Sequence, residues 1–350
     1  MARQWRGVVE EYRERLPVTD ATPVVTLGEG GTPLVESEPL SEATGCLVFL
    51  KFEGANPTGS FKDRGMTVAI SKAVEEGSRA VVCASTGNTS ASAAAYAAKA
   101  GLVCAVLVPH GKVAPGKMAQ TLVHGARVLE IQGNFDDAFR VARQLAETHP
   151  VTLVNSINPF RLQGQKTGAF EVCDALGDAP DHHLIPVGNA GNITSHWMGY
   201  TEYAADGLIR RPPAMFGFQA AGAAPIVRGE PIAEPSTLAT AIRIGNPASW
   251  EQAAKAAADS GGGILAVTDR EILAAYRRVA RGGLFAELAS AASVAGLLQL
   301  SGAGRLDRGS TVVCVLTGHG LKEPEWAVAG ASRPPLLPPD PQAVAEELGL

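Results

Sequence analysis

From Ala80 onward, short apolar runs alternate with stretches whose apolar positions recur at the period of a helix. Residues 80–84, 104–108, 127–131 and 151–154 are expected as strands, and residues 88–100, 116–124 and 135–148 as the helices between them. The strands are apolar throughout rather than alternating, which suits a parallel sheet covered on both faces. A second series follows, with strands expected near 184–186, 215–219, 264–266 and 311–316. Its helices are expected near 161–176, 193–205, 249–259, 269–281 and 290–300. The pattern therefore predicts an α/β protein of two lobes, parted near residues 155–160. Sites in such lobes lie at the carboxyl ends of strands.

Composition narrows the class. The 350 residues are 46% hydrophobic and 19% charged, with net charge -5 and only 5% aromatics. A nucleic-acid groove wants clustered Lys and Arg beside stacking rings, and neither is present. Residues 1–16 mix arginines and glutamates without an apolar stretch, so no signal peptide is expected there. No run approaches the roughly 18 apolar residues of a membrane helix. Cys46, Cys83, Cys104, Cys173 and Cys314 are scattered, which predicts buried thiols in a reducing cytoplasm. No histidines or cysteines have metal-ligand spacing, so no metal is expected. The tail from 332 to 342 is proline-rich and expected to be extended, with a short docking helix at 343–348.

Candidate chemistry gathers at a few segments. Lys62 lies in Ser60-Phe61-Lys62-Asp63-Arg64-Gly65, beside an aromatic ring and where a helix should start. Apolar cover and a helix N-terminus both disfavour an ammonium, so its pKa is expected to fall. A neutral lysine amine attacks carbonyls to form a Schiff base. Ser85-Thr86-Gly87-Asn88-Thr89-Ser90 follows an expected strand and opens a helix. One such residue would cap it, and the surplus suits an anion. Gly188-Asn189-Ala190-Gly191-Asn192 has the same placement in the second series, where two glycines allow backbone N–H groups to turn inward on a phosphate. Thr317 stands at the end of another apolar strand.

Two nucleotide motifs fail. Gly111-Lys112-Val113-Ala114-Pro115-Gly116-Lys117 resembles a phosphate loop, but Met118 stands where Ser or Thr should hold magnesium, and Pro115 removes an N–H. Gly28-Glu29-Gly30-Gly31-Thr32-Pro33 lacks the dinucleotide glycine spacing. The remaining set asks for a carbonyl at Lys62, a phosphate at 188–192 and a ring nitrogen at Thr317. Pyridoxal phosphate has all three.

The chain resembles the threonine synthase family of fold-type II, tryptophan-synthase-β-like pyridoxal-phosphate enzymes. The resemblance runs from about Trp5 to the C-terminus. It is carried by Glu29 to Leu34, Asn56 to Gly65, Ser85 to Ser90, Asn155-Ser156-Ile157-Asn158-Pro159 and Gly188 to Asn192. The Ser-Phe-Lys-Asp-Arg-Gly and Val-Asn-Ser-x-Asn-Pro forms are the specific ones. It implies two open twisted-sheet αβα lobes with the site in the cleft between them. A smaller mobile domain would span 56–158 and a larger one 1–55 plus 159–330, with 331–350 as a tail.

It further implies that Lys62 is the Schiff-base lysine and proton shuttle. Asn88 would meet the cofactor's phenolic oxygen, Gly188, Asn189, Ala190, Gly191 and Asn192 its phosphate, and Thr317 its ring nitrogen. Ser85, Thr86 and Thr89 would hold the substrate carboxylate, and Asn155, Ser156 and Arg161 the substrate phosphate. The implied reaction is that of a carbon–oxygen lyase in threonine biosynthesis. It eliminates phosphate from O-phospho-L-homoserine at Cγ and adds water at Cβ to give L-threonine, and a homodimer is implied. His319 and Leu288 depart from the family pattern, where Asn and Pro are usual. Two other readings remain: a threonine/serine dehydratase on the same fold, for which a substrate-phosphate cluster has no use, and a pyridoxal-phosphate-binding homologue with weakened or no turnover.

Overall fold

The apolar runs form two separate sheets in the computed structural model, which describes residues 4–111, 115–329 and 333–350, the side chains of 115–117 excepted. Among the described residues there are ten strands: β1 (Leu34–Glu36), β2 (Leu47–Phe52), β3 (Ala80–Ala84), β4 (Val103–Pro109), β5 (Arg127–Ile131), β6 (Val151–Leu153), β7 (His182–Pro186), β8 (Ala214–Ala220), β9 (Gly263–Val267) and β10 (Thr311–Leu316). The larger sheet has the order β1-β2-β10-β7-β8-β9 and the smaller β5-β4-β3-β6. Every pairing is parallel except the edge pair β1–β2. Parallel neighbours need crossovers, and helices supply them on both faces. Among the described residues no helix is long and apolar enough to cross a membrane, and no cluster of three potential metal ligands occurs.

Local sequence explains the best-formed helices. Phe135–Thr148 starts with a capping box between Asn134 and Asp137, and Asp269–Arg281 with one between Thr268 and Glu271. Asn88–Ala100 ends on Gly101, whose φ of 68° is left-handed. Its alanines let it lie close against the core of the smaller sheet, where Ala93, Ala94 and Tyr96 meet Val81, Cys83 and Val106. All five cysteines are free and buried, as expected.

Three readings need correction. Residues 161–176 do not form one helix: Pro159–Gln165 and Thr167–Leu176 are separate. The break follows Gly164, whose carbonyl accepts the Thr167 hydroxyl at 2.7 Å. Gly164 is fixed by packing, since a Cβ there would come within 2.0 Å of Arg64 O, and one on Gly65 within 2.6 Å of Arg161 O. The helix Lys62–Glu75 thus crosses Pro159–Gln165 backbone against backbone. Second, β1 and β2 were not expected as strands. Third, the helix expected from 290 begins as a tighter turn, Leu288–Ala291, before Ala292–Gly302. The tail carries a helix at Pro341–Leu348 with no buried residue. The loop at 112–114 and the tail's start at 330–332 lie outside the described residues.

Beside the cleft lies a buried ionic network. Arg64 donates to Glu53 at 2.7 and 2.8 Å and to Glu171 at 2.6 and 2.7 Å. Lys51 donates to Glu171 and to Thr32 O, each at 2.7 Å. Burial alone would raise the Glu53 carboxyl, but Arg64 overrides it and holds the group at about 2. The network joins the start of Lys62–Glu75 to β2, to helix Thr167–Leu176 and to the Gly30-Gly31-Thr32 turn, where Gly31 N–H donates to Glu171 at 2.9 Å. Removing one member of such a set strands its partners. Arg64→Ala is therefore predicted to cost about 3–5 kcal/mol of unfolding free energy in urea denaturation. A loss below about 1 kcal/mol would contradict the network's role.

Candidate active site

Backbone pairing brings the separate motifs together. Phe61 N–H donates to Thr317 O at 3.1 Å, and His319 N–H donates to Gly59 O at 2.9 Å. The loop that carries Lys62 is thereby bonded to the turn after β10. Lys62 begins its helix without a side-chain cap. Part of the side chain stays open to the cleft, yet its amine is enclosed and lies 4.1 Å from the Phe61 ring centre. No carboxylate among the described residues stands at ion-pair distance. Burial, with help from the nearby Arg161 guanidinium, lowers its pKa to about 7, against the opposing pull of Glu287.

Ser85 to Ser90 sit at the carboxyl end of β3, as expected, but they do not cap the helix they open. Asn88–Ala100 has no side-chain cap. Ser85 Oγ accepts from Gly87 N–H at 3.2 Å, and Ser90 donates to Gly87 O at 2.7 Å. The first-turn N–H groups and the half-exposed Thr86 and Thr89 therefore face the cleft without a cap, which suits an anion. Asn155 is placed differently from a free ligand. Its carboxamide clamps Ala84, accepting from the N–H at 3.0 Å and donating to the carbonyl at 2.9 Å. It fixes the strand end from which Ser85 projects.

Arg161 is fully buried, and among the described residues no carboxylate pairs with it. Nη1 donates to Val154 O at 3.2 Å, while Nε and Nη2 have no partner. Burial lowers its pKa to about 10. A buried guanidinium with two unpaired donors is costly, and a bound dianion would satisfy it.

At the carboxyl end of β7, helix Gly191–Ala205 also starts uncapped. It follows Ala190 in the left-handed region at φ 66°, which only glycine adopts without strain. Both carboxamide atoms of buried Asn192 lack a partner. A Cβ on Gly188 would come within 3.1 Å of Ile242 Cα, so one there would crowd the neighbouring backbone. An uncapped helix start, a strained nest and an orphaned amide together fit a bound phosphate. Thr317 Oγ1 lies 3.0 Å from Ser290 Oγ. This neutral hydroxyl pair suits a pyridine nitrogen.

Sequence reasoning missed Glu287, which is buried and accepts from Asn88 Nδ2 at 2.8 Å. Its only signal was one acid between Ala286 and Leu288 in an apolar run. Asp63 was also missed. It accepts from the Thr58 N–H and hydroxyl at 2.7 and 2.6 Å and from the Ser92 hydroxyl at 2.6 Å. Leu288 joins the larger sheet's core, and His319 Nδ1 accepts from Leu321 N–H at 3.1 Å.

The near-neutral Lys62 amine, the uncapped helix start with its orphaned Asn192 and the Thr317–Ser290 hydroxyl pair are features that would suit an aldehyde-bearing phosphorylated cofactor. Residues 25–318 match the family of pyridoxal-phosphate dependent enzymes, and the chain belongs to it. It is 60% identical to the threonine synthase of Mycobacterium leprae, over 99% of this chain and 97% of that one. To the threonine synthase of Methanocaldococcus jannaschii it is 51% identical, over 93% and 83%. In fold it is similar to maize serine racemase, with a TM-score of 0.75, 19% identity and coverage of 92% and 95%. The tomato (Solanum lycopersicum) threonine deaminase isoform 2 gives 0.74, 22%, and 92% and 94%.

The enclosed amine makes one testable demand. Competitive acetylation of the cofactor-free protein should find Lys62 half-reactive at about pH 7, whereas exposed lysines titrate near ~10.4. A Lys62 midpoint in the ordinary range would refute the burial argument.

Proposed function

We infer that this chain is a pyridoxal-phosphate-dependent threonine synthase, a lyase that converts O-phospho-L-homoserine and water to L-threonine and phosphate. The observation that carries the reading is the pairing of the neutral-leaning Lys62 amine with Arg161, a buried guanidinium holding two unsatisfied donors in the same cleft. A dehydratase acting on threonine has no phosphate to place there. The full-length threonine synthase relatives support the same conclusion.

Pyridoxal phosphate supplies, when bound, an electron sink for carbanions adjacent to an amino-acid nitrogen. Lys62 would hold its aldehyde, Gly188, Asn189, Ala190, Gly191 and Asn192 would hold its phosphate, Thr317 would meet the ring nitrogen and Asn88 the phenolic oxygen. Ser85, Thr86, Thr89 and the uncapped helix start bind the substrate carboxylate. Arg161, with Ser156 and the clamped Asn155 strand end, binds the substrate phosphate. Lys62, freed by substrate, takes the Cα proton. Its pKa near neutrality makes it both a competent base and a returnable acid. A Cβ proton would also leave as phosphate departs from Cγ. Cγ would then take up a proton, the water oxygen would bond to Cβ, Lys62 would return a proton to Cα, and the remaining proton would leave with phosphate as hydrogen phosphate. Residues 56–158 form the smaller mobile domain, 1–55 with 159–330 the larger, and 331–350 the tail. Its movement over the cleft keeps bulk water away until the addition step. Five unpaired buried cysteines support a reducing cytoplasm, and the family resemblance supports a homodimer without nucleic-acid or membrane partners.

The test is phosphate release from O-phospho-L-homoserine. Wild type should release it with formation of threonine, and Lys62→Ala should lose at least about 10³-fold in kcat, with the proton carrier gone. Arg161→Met should raise KM by about 10- to 100-fold, the equivalent of a lost charge-assisted contact. Ammonia and a 2-oxo acid from threonine, with the phosphorylated substrate ignored, would overturn the reading.

A further inference from the structure

Glu287 is only 4% exposed, and among the described residues no cation stands at ion-pair distance from it. A carboxyl buried in this way is costly. Its position is nonetheless tightly fixed. Its backbone N–H donates to Gly318 O at 2.8 Å, and Ala286 pairs with His319 across the same turn. The carboxyl lies flat on Gly318, where an added Cβ would come within 2.1 Å of Oε2. Since Ser60 pairs with Gly318 from the other side, the carboxyl stands where the Lys62 loop, the turn after β10 and the start of Asn88–Ala100 converge. Among the described residues its side-chain hydrogen-bond partner is Asn88 Nδ2, at 2.8 Å.

We propose that Glu287 is a positioning residue that acts through Asn88, fixing which edge of that amide is presented to the cofactor. A carboxylate only accepts hydrogen bonds, so Asn88 must offer it nitrogen. One N–H is then spent on Glu287, and the second remains to be donated to an anionic oxygen in the cleft. A protonated Glu287 carries a hydrogen of its own and tolerates either amide orientation. The proposal rests on the reading that Asn88 meets the cofactor's phenolic oxygen.

The surroundings put this change of state near neutrality. Burial raises the Glu287 carboxyl to about 7, and Glu323 adds to the rise; Asn88, Lys322 and Lys62 oppose it. Behind these, Lys62 faces Arg161, and Lys322 faces Asp63. His319 lies on the same turn, its own pKa lowered by burial and by Lys322.

The experiment compares reconstituted wild type, Glu287→Gln, Glu287→Ala and Asn88→Ala by visible absorption across neutral pH and by cofactor dissociation constant. Wild type should show a spectral midpoint at about pH 7. Glu287→Gln should abolish that midpoint yet hold the cofactor within about threefold, because the glutamine oxygen accepts the same bond. Glu287→Ala should weaken cofactor binding by about tenfold, the equivalent of one buried hydrogen bond. If Glu287→Ala does not fold, the isosteric glutamine variant decides alone. A midpoint that persists in Glu287→Gln, or wild-type affinity in Glu287→Ala, overturns the proposal. If Asn88→Ala perturbs spectrum and affinity while the Glu287 variants do not, the Asn88 assignment stands and only the Glu287 role falls. An Asn88→Ala variant identical to wild type removes the Asn88 assignment and the proposal with it.

Discussion

The amine of a half-buried lysine, with no carboxylate at ion-pair distance among the described residues, is the constraint on which this site is built. Lys62 is held where burial and Arg161 both act against its positive charge. Every neighbouring feature serves that arrangement. The Phe61 N–H bond to Thr317 O and the Gly59 carbonyl bond from His319 fix the loop. The Arg64 network locks the same first turn of the helix to β2 and to helix Thr167–Leu176. The charge that the chain withholds from Lys62 is concentrated one residue pair further on, where Arg64 is fully matched by two glutamates.

The same logic explains the other unsatisfied groups. Arg161 keeps two donors without partners, and Asn192 keeps its whole carboxamide. Buried polar atoms are normally paired, so orphaned donors on Arg161 and Asn192 are groups that a bound anion would satisfy. Two uncapped helix starts, at Asn88 and Gly191, aim at that cleft. A bound anion at each would meet the electrostatic demand of its uncapped helix start.

Much of this was legible along the chain. Helices at 88–100, 135–148 and 269–281 and the strands at 80–84, 127–131 and 311–316 follow from periodicity alone, because local pattern and tertiary packing agree there. β2 was not legible, because Lys51 interrupts its apolar run. Its burial is made tolerable by Glu171, 120 residues away. The break at Lys166 was hidden because it is caused by the Gly164–Arg64 contact with a distant helix. The motifs at Ser85 and Gly188 could be found because each joins a strand end to a helix start, and Lys62 because it stands beside Phe61 where a helix begins. Glu287 could not, because its meaning depends on Asn88, 199 residues earlier. Asn155 was visible as a motif member, but its clamp on Ala84 was not.

The most direct measurement is borohydride reduction of the pyridoxal-phosphate-loaded protein followed by peptide mapping. The account predicts a single pyridoxyl-lysine at position 62. Label on another cleft lysine such as Lys322, whose pKa burial also lowers, with Lys62 unmodified, would contradict it.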